Sequence, residues 1–274
     1  MIDESDYKEP SCLLCGGKDF YYPDKDGAKG RIPVKRIIEK ADEFYSKNDL
    51  GGAERHLTYW QTESLALNDT NGELSVVDEL LGLYRKTGNK EKALSAVDRA
   101  LFLVERLNLG ETVSGATIFL NAATTLKAFG ETPRALPLYE KTLAVYSESL
   151  DKNDERFAGF YNNYALALTD AREYEKAEKC YLKAIEIMKT KASGKPDCAI
   201  SYINLATLYE LEEKTELITD CLFTAFNLLS DENNEKNGYF AYVLEKCAPE
   251  FLRHGYKKIY DDMIKESKEI YERS

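Results

Sequence analysis

The stretches YRKTGNKEKALSAVDRAL (residues 84–101), LKAFGETPRALPLYEKTL (126–143) and LTDAREYEKAEKCYLKAI (168–185) are one pattern written three times, 42 residues apart. Self-similarity at such a period is the signature of an array of supersecondary units. Working outward from the small residue in the second half of each stretch gives Ala53, Ala93, Ala135 and Ala177, continued by Ile218 and Tyr260 in degenerate copies. The spacings are 40, 42, 42, 41 and 42, so six copies fill residues 33–274.

Other positions fall into register with that anchor. Twelve residues earlier stand Ala41, Leu81, Ala123, Ala165, Ala206 and Ala248, as expected where two antiparallel helices cross too closely for a larger side chain. Three residues on come Phe44, Tyr84, Leu126, Leu168, Tyr209 and Phe251, and four before come Ile37, Val77, Phe119, Tyr161, Tyr202 and Leu244. These are one face of an amphipathic helix. Four residues after the anchor, Leu57, Val97, Tyr139, Tyr181, Leu222 and Ile264 define the matching face of a second helix. Five residues before the anchor, Asn48, Gly88, Gly130, Arg172, Glu213 and Gly255 occupy the turn, where Gly and Asn suit the left-handed residue that ends a helix.

The 274 residues are 43% apolar and 31% charged, with a net charge of −11 and 7 prolines. Three of those prolines, Pro10, Pro23 and Pro33, lie in the first 33 residues. Pro133 fits a first helical turn. Pro137 and Pro249 fall inside helices, where each is expected to kink or break its helix, Pro249 near Ala248. The acidic balance excludes partners that bind through excess Lys and Arg, nucleic acid and anionic membrane among them. No run approaches a membrane span, and the N-terminal MIDESDYKEPSC is acidic where a secretory signal would be basic and then apolar. The expectation is a cytoplasmic protein with reduced thiols.

Through small, large and turn positions alike, residues 33–274 resemble the tetratricopeptide repeat, and the period resembles the long repeats of kinesin light chains and related bacterial proteins. That resemblance implies an all-α, right-handed solenoid of six helix pairs, near 33–69, 70–110, 111–152, 153–193, 194–233 and 234–274, behind an irregular segment 1–32. First helices would line the concave side. The interval within each pair stays at 12, so the extra length over a 34-residue repeat lies between one pair and the next.

Two positions before the small residue stand Glu39, Glu79, Asn121, Asn163, Asn204 and Lys246, with Asn162 beside one of them. An amide both donates and accepts, so such a row can pair with a peptide backbone without reading its sequence. The resemblance gives that role to Asn121, Asn163 and Asn204. The same asparagines could instead pair with a neighbouring helix. The basic half of the family's carboxylate clamp is missing, since its positions hold Thr117, Gly159, Ile200, Leu166, Ala128 and Asp170. Leu120, Leu166, Ile200 and Ile203, edged by Thr124 and Thr207, suggest an apolar floor with polar rims, while Arg85, Lys86 and Lys127 could meet acidic ligand residues.

Cys12-Leu-Leu-Cys15 has the spacing of half a zinc site. No second pair lies near, and the histidines are His56 and His254 alone, so zinc, a redox pair and two ordinary thiols all remain open. Asp24-Lys-Asp26-Gly27 lacks the further ligands of a calcium loop. Neither histidine sits beside a nucleophile, and Cys180, Cys198, Cys221 and Cys247 fall in helical patterns as buried thiols. The expectation is a non-enzymatic scaffold without cofactor that binds a peptide or partner protein in the concave groove. The competing expectation is a bacterial-type regulator that responds to a signal peptide or small molecule. A metal-linked dimer through Cys12 and Cys15 is a third.

Overall fold

The computed structural model describes residues 27–47, 49–191 and 193–273. Cys12, Cys15, Asp24, Asp26 and the turn residue Asn48 therefore lie outside the described residues. Twelve helices make up the described chain, in two compact units, residues 1–150 and 151–274.

The first unit holds α1 (Val34–Ser46), α2 (Leu50–Leu67), α3 (Thr70–Thr87), α4 (Lys90–Arg106), α5 (Val113–Ala128) and α6 (Thr132–Ser149). Each helix packs on the next, and α3 also packs on both α1 and α5, so the first helices of successive pairs form a layer. The second unit holds α7 (Arg156–Asp170), α8 (Tyr174–Lys189), α9 (Lys195–Leu211), α10 (Thr215–Leu229), α11 (Gly238–Arg253) and α12 (Lys257–Arg273). Here α9 packs on α7 and α11 in the same manner.

The crossing points are as small as the periodicity requires. Ala41, Ala123, Ala165, Ala206 and Ala248 have no solvent exposure, and the larger Leu81 is buried too. The anchors Ala53, Ala93, Ala135 and Ala177 are equally buried, whereas Tyr260 in the last copy is half-exposed. Turns follow the same register. Gly88, Gly130, Arg172, Glu213 and Gly255 all take left-handed backbone, φ between 60° and 85°. Two non-glycine residues have thus kept the geometry of a glycine turn.

Side-chain caps begin the helices where the orphan N–H groups need them. Asp49, Asp69, Asn89, Thr112 and Asn237 each accept from the backbone N–H three residues on. Asp69 does more: it also accepts from Arg31 Nη1 at 2.8 Å and from the Ile32 N–H at 2.9 Å, which pins the segment before α1 to the α2–α3 turn.

Neither internal proline breaks its helix. α6 and α11 run uninterrupted through Pro137 and Pro249, contrary to the expectation of a split near Ala248. Both prolines are solvent-exposed, so the carbonyls four residues earlier, deprived of an N–H partner, lie on helix faces that water reaches.

Candidate functional site

In the first unit, the layer of first helices carries an open cavity of about 440 Å³ lined by Tyr45 of α1, by Asp78, Glu79, Gly82, Leu83, Arg85 and Lys86 of α3, and by Asn121 of α5. Asp78, Gly82 and Arg85 or Lys86 recur at three- and four-residue intervals, so they share one face of α3. Gly82 is the notch in that face: a Cβ there would meet nothing within 4 Å.

At one end of the notch, Asn121 Nδ2 donates to both oxygens of Asp78, at 2.9 and 3.1 Å. Burial pushes the Asp78 carboxyl up to about 6, against the pull of that hydrogen bond and of the Arg85 charge. At the other end, Arg85 and Lys86 are exposed, and Lys86 Nζ lies 5.8 Å from the centre of the Tyr45 ring. Desolvation, with Glu79 and Asp42 nearby, drives the Tyr45 hydroxyl far above its usual range, so it stays protonated and can donate.

The second unit repeats the amide geometry with different partners. Asn204 Nδ2 of α9 donates to Asn162 Oδ1 of α7 at 3.0 Å, and Ser201 Oγ donates to the same oxygen at 3.3 Å. In both units the donor stands fourteen residues before its anchor, and the acceptor fifteen before the anchor of the preceding copy. Asn121 and Asn204 therefore do tie neighbouring helices together, the second of the two roles open to them. Their side-chain carbonyl oxygens have no hydrogen-bond partner among the described residues. Asn163 makes no side-chain hydrogen bond among them, and it is Asn162, not Asn163, that receives Asn204.

Of the other sequence-selected residues, Leu120, Leu166, Thr124 and Thr207 are half-buried, while Ile200 and Ile203 are 7% and 6% exposed and add little to an accessible floor. The Thr124 hydroxyl donates to the Leu120 carbonyl at 2.8 Å and lies 3.2 Å from the Tyr139 hydroxyl. Thr207 donates back to Ile203 O at 3.3 Å and receives Arg253 Nη2 at 3.5 Å.

Glu210, Glu250 and His254 bring three possible metal-ligand atoms within 4.8 Å of one another. Arg253 already provides the cation there, with ion pairs to both glutamates. Burial pushes the thiols of Cys180, Cys198 and Cys221 up to about 11 and that of Cys247 to about 12, which makes all four poor nucleophiles and poor ligands. Among the described residues, no helix is long and apolar enough to cross a membrane.

The signal that points to Asp78 lay one residue from the asparagine column. Reading that column back by one gives Asp78 and Asn162 in the copies that precede Asn121 and Asn204. Gly82 follows Leu81, the one residue other than alanine in the crossing column.

Two family models, both described as tetratricopeptide repeat, match residues 116–154 and 156–222. No curated protein matches the chain. Among solved structures, the putative kinesin light chain nearly identical TPR-like repeats of Podosopora anserina superpose with a TM-score of 0.53 at 16% identity, covering 72% of this chain and 94% of that one. A point variant of the same repeats gives 0.54 at 17% identity, covering 73% and 97%. MamA, residue 41 to its end, from Desulfovibrio magneticus RS-1 gives 0.50 at 14% identity, covering 71% and 94%. At these identities the likeness is one of fold.

Proposed function

Because this chain is a tetratricopeptide-repeat protein, we propose that it is a non-enzymatic interaction module that holds an extended peptide or partner segment on its first helices. The cavity over α1, α3 and α5 carries this reading. Gly82 leaves room for a ligand backbone between a carboxylate–amide pair and two exposed cations, and the open carbonyl oxygen of Asn121 offers an acceptor for a peptide N–H. The chemistry favours binding over catalysis, since the cavity lining contains neither histidine nor cysteine. A net charge of −11 and four buried, unoxidised thiols favour a protein partner in the cytoplasm over nucleic acid or lipid.

The test is selection of peptides from a displayed library of twelve-residue sequences on the wild-type protein, followed by binding of the selected peptides to Gly82→Phe. A phenyl ring at 82 projects into open space, so the fold should be kept and the groove filled. A loss of at least tenfold in affinity is expected. Equal binding to both proteins removes the groove from consideration.

A further inference from the structure

We propose that Asp78, half-buried in the wall of the pocket, receives a lone basic side chain of the bound peptide, a Lys or Arg set among acidic residues. The inference rests on the groove reading above and names the chemistry of its ligand. Asp78 is hydrogen-bonded to a neutral amide, Asn121, and among the described residues no Lys, Arg or His forms an ion pair with it. Arg85 acts on Asp78 only at a distance, a partly desolvated carboxylate without an ion-pair partner is costly, and a cation brought by a ligand lowers that cost. The walls suit such a group. Glu79 adds a second negative charge next to Asp78.

The mouth of the cavity restricts which basic peptides fit. Arg85 and Lys86 line it seven and eight residues further along α3, about 10–12 Å from Asp78 at the helical rise. They repel a run of cations and attract an anion. At about 3.3 Å per residue of extended chain, the favoured ligand has an acidic residue about three positions from its basic one. A polybasic segment is disfavoured, and so is a purely acidic one.

The same twelve-residue library supplies the test, selected in parallel on the wild type and on Asp78→Asn, which keeps the acceptor for Asn121 and removes the charge. The wild-type pool is expected to show Lys or Arg at one aligned position with enrichment of about tenfold, and the Asp78→Asn pool to lack it. Replacing that Lys by norleucine in the best wild-type binder should then weaken binding at least tenfold on the wild type and less than twofold on Asp78→Asn. A charge-assisted hydrogen bond to a half-buried carboxylate supports a factor of that size. A third measurement needs no variant. Between pH 7.5 and 5 the Lys peptide should lose about tenfold in affinity while the norleucine peptide holds, because Asp78 takes up a proton as pH falls through about 6. The other charged or titratable groups around it are Glu79, Arg85 and Lys86 on α3 and Tyr45 with Asp42 on α1, where burial and Glu39 raise the Asp42 carboxyl too, and α5 contributes the neutral Asn121; the norleucine peptide controls for all of them.

A wild-type pool without a basic position, or one that Asp78→Asn reproduces, overturns the assignment of Asp78 while the groove stands. Selected peptides that Gly82→Phe fails to displace overturn the groove and the assignment together.

Discussion

Arg172 and Glu213 occupy the turn position that Gly88, Gly130 and Gly255 fill elsewhere, with φ of 61° and 60°. For a residue with a Cβ, left-handed backbone costs about 1–2 kcal/mol. Both side chains are exposed and neither makes a hydrogen bond or ion pair among the described residues, so replacing them removes no packing. Glycine would relieve the strain while losing about 0.5–1 kcal/mol through the greater freedom of the unfolded chain. The net expectation is a gain of about 0.5–1 kcal/mol for Arg172→Gly or Glu213→Gly, and about 1–2 kcal/mol for the double variant, since the two turns are separate and their effects should add. Urea unfolding followed by circular dichroism measures it. With a slope of about 2 kcal/mol/M the double variant's midpoint should rise by about 0.5–1 M at unchanged slope. The mirror experiment is Gly130→Ala, where the added methyl meets nothing within 4 Å and a loss of about 1 kcal/mol is expected from the backbone alone. If Arg172→Gly destabilises, or Gly130→Ala does not, the argument from left-handed geometry is wrong.

Other consequences can be measured on the same material. Glu73 of α3 is buried, and its two oxygens take Arg99 Nε and Nη2 at 2.6 and 2.7 Å; Arg99→Ala should cost about 3 kcal/mol in urea unfolding because it strands that charge, whereas Lys92→Ala, which removes the exposed pair with Glu54, should leave the urea midpoint close to that of the wild type. Asp78 has its proton affinity raised on folding, to about 6 from an ordinary 3.8, so the wild type should lose stability as pH rises from about 4 to about 6, and Asp78→Asn should be free of that loss. Midpoints at pH 4.5, 5.5 and 7 should therefore show the advantage of Asp78→Asn growing and then levelling; a constant difference contradicts the shift. Finally, peptides containing Cys180, Cys198, Cys221 and Cys247 should label slowly with iodoacetamide at pH 8 in the native protein and rapidly in urea, read by mass spectrometry.

Helix positions and turn positions were legible because each rests on a periodic demand. A crossing admits only a small residue, as at Ala123 and Ala165, and a left-handed turn recurs at one register even where Arg172 has replaced glycine. The site was legible to a lesser degree. Asn121 was selected from its column and does line the cavity, but its partner Asp78 was missed, because the acceptor sits in a different copy and no single copy shows the pair. Gly82 was missed for a related reason: an absent side chain marks a cavity only once the neighbouring helices are in place. Gly115 illustrates the reverse. A Cβ there would stand 2.0 Å from the Leu109 carbonyl oxygen, a constraint set by the turn leading into α5 and carried by no repeat position. Pro137 and Pro249 broke a rule of sequence at exposed positions, where water can serve the carbonyls they leave behind.

The lateral amide pairs bear on how such a chain can grow. Acceptors stand in the second and fourth copies, at Asp78 and Asn162, and donors in the third and fifth, at Asn121 and Asn204. At the acceptor register the third and fifth copies carry Leu120 and Ile203, which can receive nothing. Deleting the fourth copy alone would therefore set the donor Asn204 against Leu120, whereas deleting the third and fourth together would set it against the acceptor Asp78. In these amide pairs the repeating unit is a doublet of about 84 residues, two copies of the 42-residue period.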